Sequence, residues 1–440
     1  MPGQSSDNLL ALFDGAPLNR RYWVAFALLS ALFVLEFFDF LVVGYLLAQL
    51  GPQWHLTYGQ SALILYSGGV GSILGALVFG GLADAWGRKA QMIIGTFICA
   101  ISAGLIGVVP DGAWEIFAVL RFFVGVGLTA GVTPSLTILV ELTPTRHRTL
   151  LTSFYIVFAS AGGLLASTTS AALMAALGWR GVAMLGVAPA FVGVLIWLYV
   201  PESVRWLTAK GRFTQARAAV AEHLGRPLQS VPLPTIPPAV QPRGRLSELY
   251  QSPRMFWETI LIWGGSSTAG YGVYLWGPTI VAMVLKVPVP QAAKYFIFVA
   301  LGGIAGKIVV TFLAPLMVVL LCASTFFIEG GFSNLAPYTV ESYGVNLGAR
   351  ASGLGQAANG VGKILGPLSL ALIAGTSNIV SPQATADAVL PAYIFLAGCM
   401  GLVGLSFLIL GVETHGKAMA FGAEAAPAPE VRAVLGTEAR

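Results

Sequence analysis

Near-continuous apolar runs recur along this chain, and its polar residues gather in the stretches between them. The runs fall at roughly 22–50, 61–83, 91–109, 114–140, 150–174 and 180–200, then at 256–284, 292–313, 315–340, 351–375 and 388–411. About 20 mostly apolar residues carry an α-helix across the hydrocarbon of a bilayer. The pattern therefore predicts an all-α polytopic membrane protein with six spans in its first half and five in its second. Strands of a membrane barrel would instead alternate over about ten residues, and no such alternation recurs.

The widest polar interval separates the two halves and contains VPLPTIPPAVQPRGR, too rich in proline for a continuous helix. The expected organisation is a cytoplasmic amino-terminal segment over 1–21, a six-helix bundle over 22–200, a cytoplasmic linker over 201–255, a second bundle over 256–411 and a cytoplasmic tail over 412–440. The halves echo one another, as is common among transporters. Gly71 and Gly75 correspond to Gly302 and Gly306 at an offset of 231 residues, whereas Glu141 and Arg148 correspond to Glu341 and Arg350 at an offset near 200. The 231-residue offset also puts Pro315 where an echo of Asp84 belongs. The difference, about 31 residues, is one loop and one span. The ninth helix is thus expected to be missing, through a natural deletion or because a longer second half is incompletely represented.

Composition strengthens the membrane reading, because 56% of the 440 residues are hydrophobic and only 10% charged, outside the range of soluble domains. The net charge of +5 raises the question of nucleic acid, which the positions of the basic residues answer. Arg20 and Arg21 precede the first run, Arg88 and Lys89 follow the second, Arg146 and Arg148 follow the fourth, and eight Lys or Arg lie from Glu202 to Arg254. The opposite loops, 49–60 and 109–113, have none. By the positive-inside rule the amino terminus and central loop are cytoplasmic, and the basic excess reflects topology. The first run is too long for the core of a cleavable signal. Cys99, Cys322 and Cys399 lie in apolar runs, and His55, His147, His223 and His415 all lie outside them. No metal, cofactor or nucleophile constellation is formed, which argues against an enzyme.

Six charges fall inside the predicted spans: Glu36, Asp39, Glu329, Arg121, Lys307 and Lys363. A charge at the bilayer centre costs about 2.5–3.5 kcal/mol on insertion scales, so each is expected to face a bundle interior. At about 1.5 Å per residue, Asp39 and Arg121 both reach the outer half of the first bundle and are expected to pair. Protonation of Asp39 would then switch the pair; the alternative is a static ion pair that fixes packing. Glu36, one turn away, reads as a second proton site, a substrate contact or a neutral structural carboxyl. Gln356, Asn359 and Lys363 share one helical face near the midplane, and Tyr271 and Tyr274 offer aromatic surface with polar tips. A lysine beside tyrosine rings suits an aromatic carboxylate, although tyrosines at this spacing also occur in ordinary packing. Lys307 and Glu329 are expected to compensate one another, and Glu329 is also a candidate substrate contact.

The segment GGLADAWGRKA, Gly80 to Ala90, resembles the loop signature of the major facilitator superfamily. RFFVGVG, Arg121 to Gly127, ELTPTRHR, Glu141 to Arg148, and PESVRWL, Pro201 to Leu207, are similar to further patterns of that family. The resemblance implies two six-helix bundles and transport by alternating access. It also implies a cytoplasmic gating network of Gly80, Asp84, Gly87, Arg88, Lys89, Glu141 and Arg148, with Glu341 and Arg350 in the second half, that latches the inner side while the protein faces outward. Glu36 with Asp39, and WGPT at Trp276 to Thr279, resemble elements of the aromatic acid:proton symporter group. The expected function is proton-coupled symport of a small organic, and specifically aromatic, carboxylate by a monomer in a bacterial inner membrane. Its partners would be that substrate, protons and lipid, with no nucleic acid. A sugar or metabolite porter, a drug exporter and a transport-dead sensor of the same fold are the alternatives.

Overall fold

The computed structural model describes Leu9, Leu12 and residues 17–233, 246–312 and 328–411. The first bundle comprises α1 (Arg20–Gln53), α2 (Tyr58–Trp86), α3 (Arg88–Ile106), α4 (Trp114–Leu142), α5 (Thr145–Met184) and α6 (Ala188–Tyr199). Helices α7 (Val204–Ala209) and α8 (Phe213–Leu224) follow, and the second bundle contains α9 (Pro253–Val284), α10 (Val289–Phe312), α11 (Ile328–Ala374) and α12 (Pro382–Leu410). Among the described residues, seven helical stretches are long and apolar enough to cross a membrane.

Local chemistry sets the helix ends. The Asn19 side chain accepts a hydrogen bond from Tyr22 N and donates to the carbonyl of His223, capping α1 while tying it to α8. Gly87 turns the chain between α2 and α3 with φ +103°, where a side chain would be strained and would also meet the Glu202 carboxylate. Gly178, at φ 64°, interrupts the helical run of α5, in the interval where the sequence separates two spans.

Two differences from the sequence expectation have physical causes. The stretch 201–255, expected to be a linker, begins as α7 and α8, whose Val204, Trp206, Leu207 and Val220 share a core with Tyr22, Phe26 and Leu29 of α1. Burial of these apolar side chains makes this part of the segment a cap on the first bundle. The runs expected as separate spans over 315–340 and 351–375 are joined, within the described residues, in α11, a single helix of 47 residues. The polar stretch Glu341–Arg350 between them contains no proline, so nothing there interrupts the hydrogen-bond ladder. The place where the ninth helix is expected to be missing, beside Pro315, lies outside the described residues.

The largest core cluster contains the second half of α1, Phe38 to Leu50, and residues of α2, α4, α5, α9, α10, α11 and α12. It joins the two bundles at the end opposite the basic residues. Toward the basic end the core divides: one cluster belongs to the first bundle and α7–α8, and two smaller ones, around Trp263 and Phe256, belong to the second. Among the described residues the bundles are therefore fused at one end and have separate cores at the other.

Candidate functional site

Three pairs of helices hold the halves together: α1 with α9, α2 with α11, and α5 with α10. Between them a cavity of about 260 Å³ runs from the middle of the molecule toward the basic end. Tyr271, Tyr274, Gln356, Asn359 and Lys363, the described members of the expected substrate set, all line it. α4 adds Thr129, Thr133 and Thr137 at intervals of four, a hydroxyl column that the sequence does not advertise, since threonine is unexceptional in a membrane helix. The remaining lining includes Phe33, Phe37, Leu41, Tyr155 and Trp263, so the chamber is chiefly apolar and aromatic.

Lys363 is 5% exposed. It crosses from α11 to the first bundle, where Nζ lies 3.5 Å from Ser72 Oγ. The ammonium also lies 4.8 Å from the centre of the Phe40 ring and 5.4 Å from that of Tyr271, within the range of cation–π attraction. The Ser72 hydroxyl donates to the carbonyls of Gly68 and Gly125, which orients its oxygen lone pairs toward the lysine. No carboxylate among the described residues lies within ion-pairing distance of Lys363. Desolvation of an uncompensated ammonium is costly, and an anion entering the cavity would relieve that cost.

Asp39 and Arg121 come together, but the expected carboxylate–guanidinium contact is replaced by another. Arg121 donates through Nη1 to the carbonyl of Asp39 at 2.8 Å and through Nη2 to that of Phe40 at 3.1 Å. Its guanidinium thus grips the α1 backbone. The Asp39 carboxylate turns toward α3, where Cys99 Sγ lies 3.9 Å away, and against Gly186, where any side chain would collide with it. Glu36 is fully buried, accepts from Thr96 Oγ1 at 3.3 Å and abuts Gly131; its second oxygen has no partner among the described residues. Neither carboxylate is among the residues that line the cavity. The i, i+3 spacing puts both acids on one face, and tertiary packing turns that face into the first bundle.

At the basic end, Arg88 forms an ion pair with Glu141 and donates to Ser203 Oγ at 3.2 Å. Ser203 donates to the other Glu141 oxygen at 2.6 Å. Glu202 accepts from the backbone N–H groups of Arg88, Lys89 and Ser203 at 2.8–3.1 Å. This carboxylate sits at the start of α3, where the helix dipole favours negative charge. Arg148 donates to the carbonyl of Thr143, and Lys89 donates to that of Trp197 at 2.6 Å. All these contacts lie within the first bundle and its cap while the basic end is open. These contacts fasten the first bundle to its cap; the expected latch of the inner side belongs to the outward-facing arrangement. Glu202 and Ser203 are members that residue-by-residue reading missed, although PESVRWL marks their position. The side chains of Gly80, Asp84, Lys307, Glu329, Glu341 and Arg350 lie outside those described.

Backbone contacts close the opposite end. Tyr58 N donates to Asn378 O at 2.8 Å, Gly59 N to Thr376 O at 2.9 Å and Val380 N to Leu56 O at 3.0 Å. The Tyr58 hydroxyl lies 2.5 Å from that of Thr385. These bonds join the α1–α2 connection to the α11–α12 connection, one from each bundle.

A family model described as the Major Facilitator Superfamily matches residues 28–328. The chain is 24% identical to the niacin transporter NiaP of Acinetobacter baylyi, over 94% of this chain and 99% of that one. It is 28% identical to the gallate transporter of Pseudomonas putida, over 68% of this chain and 66% of that one. It also superimposes on a solved structure of the xylose transporter XylE from E. coli in an inward open conformation. That match has a TM-score of 0.62 at 14% identity and covers 90% of this chain and 98% of the other.

Proposed function

Because the chain belongs to the Major Facilitator Superfamily, it is a membrane transporter and not an enzyme, and we propose that it takes up a small aromatic monocarboxylate together with a proton. The observation that carries this reading is Lys363, a buried cation with aromatic neighbours and no described carboxylate partner, at a cavity between the bundles. A carboxylate accepts charge-assisted hydrogen bonds from such a group, and the apolar and aromatic lining suits the ring. Relatives that carry niacin and gallate are consistent with this cargo class.

The proton site in this reading is Asp39, with Glu36 as its buried companion. Arg121 holds the carbonyls of Asp39 and Phe40 together, and the Phe40 ring touches Lys363. Protonation of Asp39 changes the packing of α1 against α3, and the Arg121 grip carries that change one residue along to the ring beside the cargo. Coupling is then mechanical, without direct contact between proton and substrate. The basic end faces the cytoplasm of a bacterial inner membrane, so the conformation described releases cargo inward, and the transporter operates as a monomer.

Purified protein in proteoliposomes tests the proposal with labelled benzoate and nicotinate, with and without an inward-directed proton gradient. Gradient-dependent accumulation that excess unlabelled benzoate blocks and xylose does not is the expected result. Accumulation indifferent to the gradient overturns the coupling; competition by xylose alone overturns the cargo class.

A further inference from the structure

The direction of three hydrogen-bonding side chains narrows the cargo further, on the premise that a carboxylate binds Lys363. Ser267 Oγ donates to Asn359 Oδ1 at 2.6 Å, which fixes the amide of Asn359 with its oxygen toward α9. Asn359 Nδ2 then donates to Gln356 Oε1 at 3.1 Å. Each amide oxygen is thereby engaged within the protein, and the Nε2 group of Gln356 is left at the end of the relay. An amide nitrogen only donates. Gln356 and Asn359 are half-buried and both line the cavity, and among the described residues Nε2 has no acceptor.

Lys363, Asn359 and Gln356 succeed one another along α11 toward the basic end. Asn359 lies about 6 Å and Gln356 about 10 Å from Lys363 along the helix axis, at about 1.5 Å per residue. That separation is comparable to one aromatic ring with its far substituent. We infer that Gln356 and Asn359 form a donor-presenting amide pair that selects aromatic acids bearing a hydrogen-bond acceptor, a ring nitrogen or an oxygen, on the ring position remote from the carboxylate. An apolar substituent of equal size would leave the amide N–H groups desolvated without a partner, which is the arrangement that discriminates most strongly.

Three acids test this: the shorter isonicotinate, whose ring nitrogen only accepts, then 4-hydroxybenzoate and 4-methylbenzoate, which share one shape. Their dissociation constants are measured by competition against labelled benzoate on the purified protein. The expected result is that the first two bind about tenfold more tightly than the third, the worth of one well-made buried hydrogen bond. In a Gln356→Met, Asn359→Leu double variant the ratio falls toward one. In Gln356→Glu, which is isosteric and retains the oxygen that Asn359 needs, the preference for isonicotinate is lost at neutral pH because an acceptor then faces an acceptor. If the wild type does not discriminate, or both variants keep its ratio while Lys363→Gln still weakens all three acids, the amide pair does not read the ring and the carboxylate site stands. If none of the three binds the wild type, the inference and the proposed cargo class fail together.

Discussion

Lys363→Gln keeps much of the length and polarity of the side chain and removes its charge. Losing a charge-assisted bond to an anionic cargo weakens binding by about tenfold to a hundredfold, which equilibrium binding of labelled benzoate will read; unchanged affinity would put the carboxylate elsewhere. Asp39→Asn makes the opposite kind of prediction. Accumulation driven by a pH gradient should disappear, whereas counterflow exchange of labelled for unlabelled cargo should persist. Full accumulation by that variant reduces the acidic stretch Glu36–Phe40 to packing. The charged members of the site are legible in the sequence because each departs from an apolar run at a cost that invites explanation. Their directions are not legible. Spacing puts Glu36 with Asp39, yet only the packing of α1 against α3 and α4 shows that both point away from the cavity, and that Arg121 binds carbonyls where a carboxylate was expected. Gln356 and Asn359 share a legible stripe, but the orientation of their amides depends on Ser267, from a different helix.

At the level of the helix, close approach of backbones makes glycine irreplaceable at some positions and optional at others. A side chain at Gly71 would collide with the carbonyl oxygen of Phe122, so α2 and α4 touch there, whereas no described atom lies within 4 Å of one at Gly302. Gly71→Leu should therefore cost at least 1–3 kcal/mol, on the order of other overpacked cores, and lower the thermal midpoint in detergent, while Gly302→Leu leaves it nearly unchanged. Equal effects would mean that the glycine spacing carries no packing information. The cap formed by α8 has its own signature. His223 is 5% exposed, and burial together with the charge of Arg21 moves its pKa from 6.5 down to about 4. As pH falls from 6.5 to 4 the unfolded chain binds a proton that the folded chain refuses, so stability declines, by about 3 kcal/mol at most. Melting curves across that range should show the decline, and His223→Leu should flatten it; an unaltered slope would acquit the histidine. Most helix boundaries could be read from hydropathy, because apolar runs and spans share a length. The continuity of α11 could not, since a polar stretch in a membrane sequence looks the same whether it turns back or runs on into water.

At the scale of the whole molecule, the described residues of the two bundles form a common core at one end and separate cores at the other. Alternating access requires the common end to part, and the three backbone hydrogen bonds between residues 56–59 and 376–380 must break along with the Tyr58–Thr385 contact and the shared apolar packing. A Cβ at Gly59 would lie 2.8 Å from the carbonyl oxygen of Thr376, closer than real contacts allow. Gly59→Val should consequently favour the conformation open at that end. With Cys99, Cys322 and Cys399 replaced by serine and Thr129→Cys introduced in the cavity, a membrane-impermeant thiol reagent added from that side should react at least about tenfold faster in the Gly59→Val background, a shift of about 1.4 kcal/mol. An unchanged rate would show that the seal lies elsewhere. The two-bundle architecture is legible in the sequence, but which end is closed is not, because the same residues must support both arrangements.

α11 gives this architecture an unforeseen economy of motion. Its 47 residues make a rod of about 70 Å at about 1.5 Å per residue, more than twice the hydrocarbon thickness. Gln356, Asn359 and Lys363 project from one part of it, and Gly375 and the sealing residues Thr376 and Asn378 follow directly at its end. The helix continues past Pro367 without a break, so the cavity-lining residues and the approach to the seal lie on one element. In the proposed cycle, an anion that draws Lys363 would move a helix whose end reaches the seal, some 20 Å farther along by the same rise per residue. The cargo would itself turn the crank that shuts the door behind it.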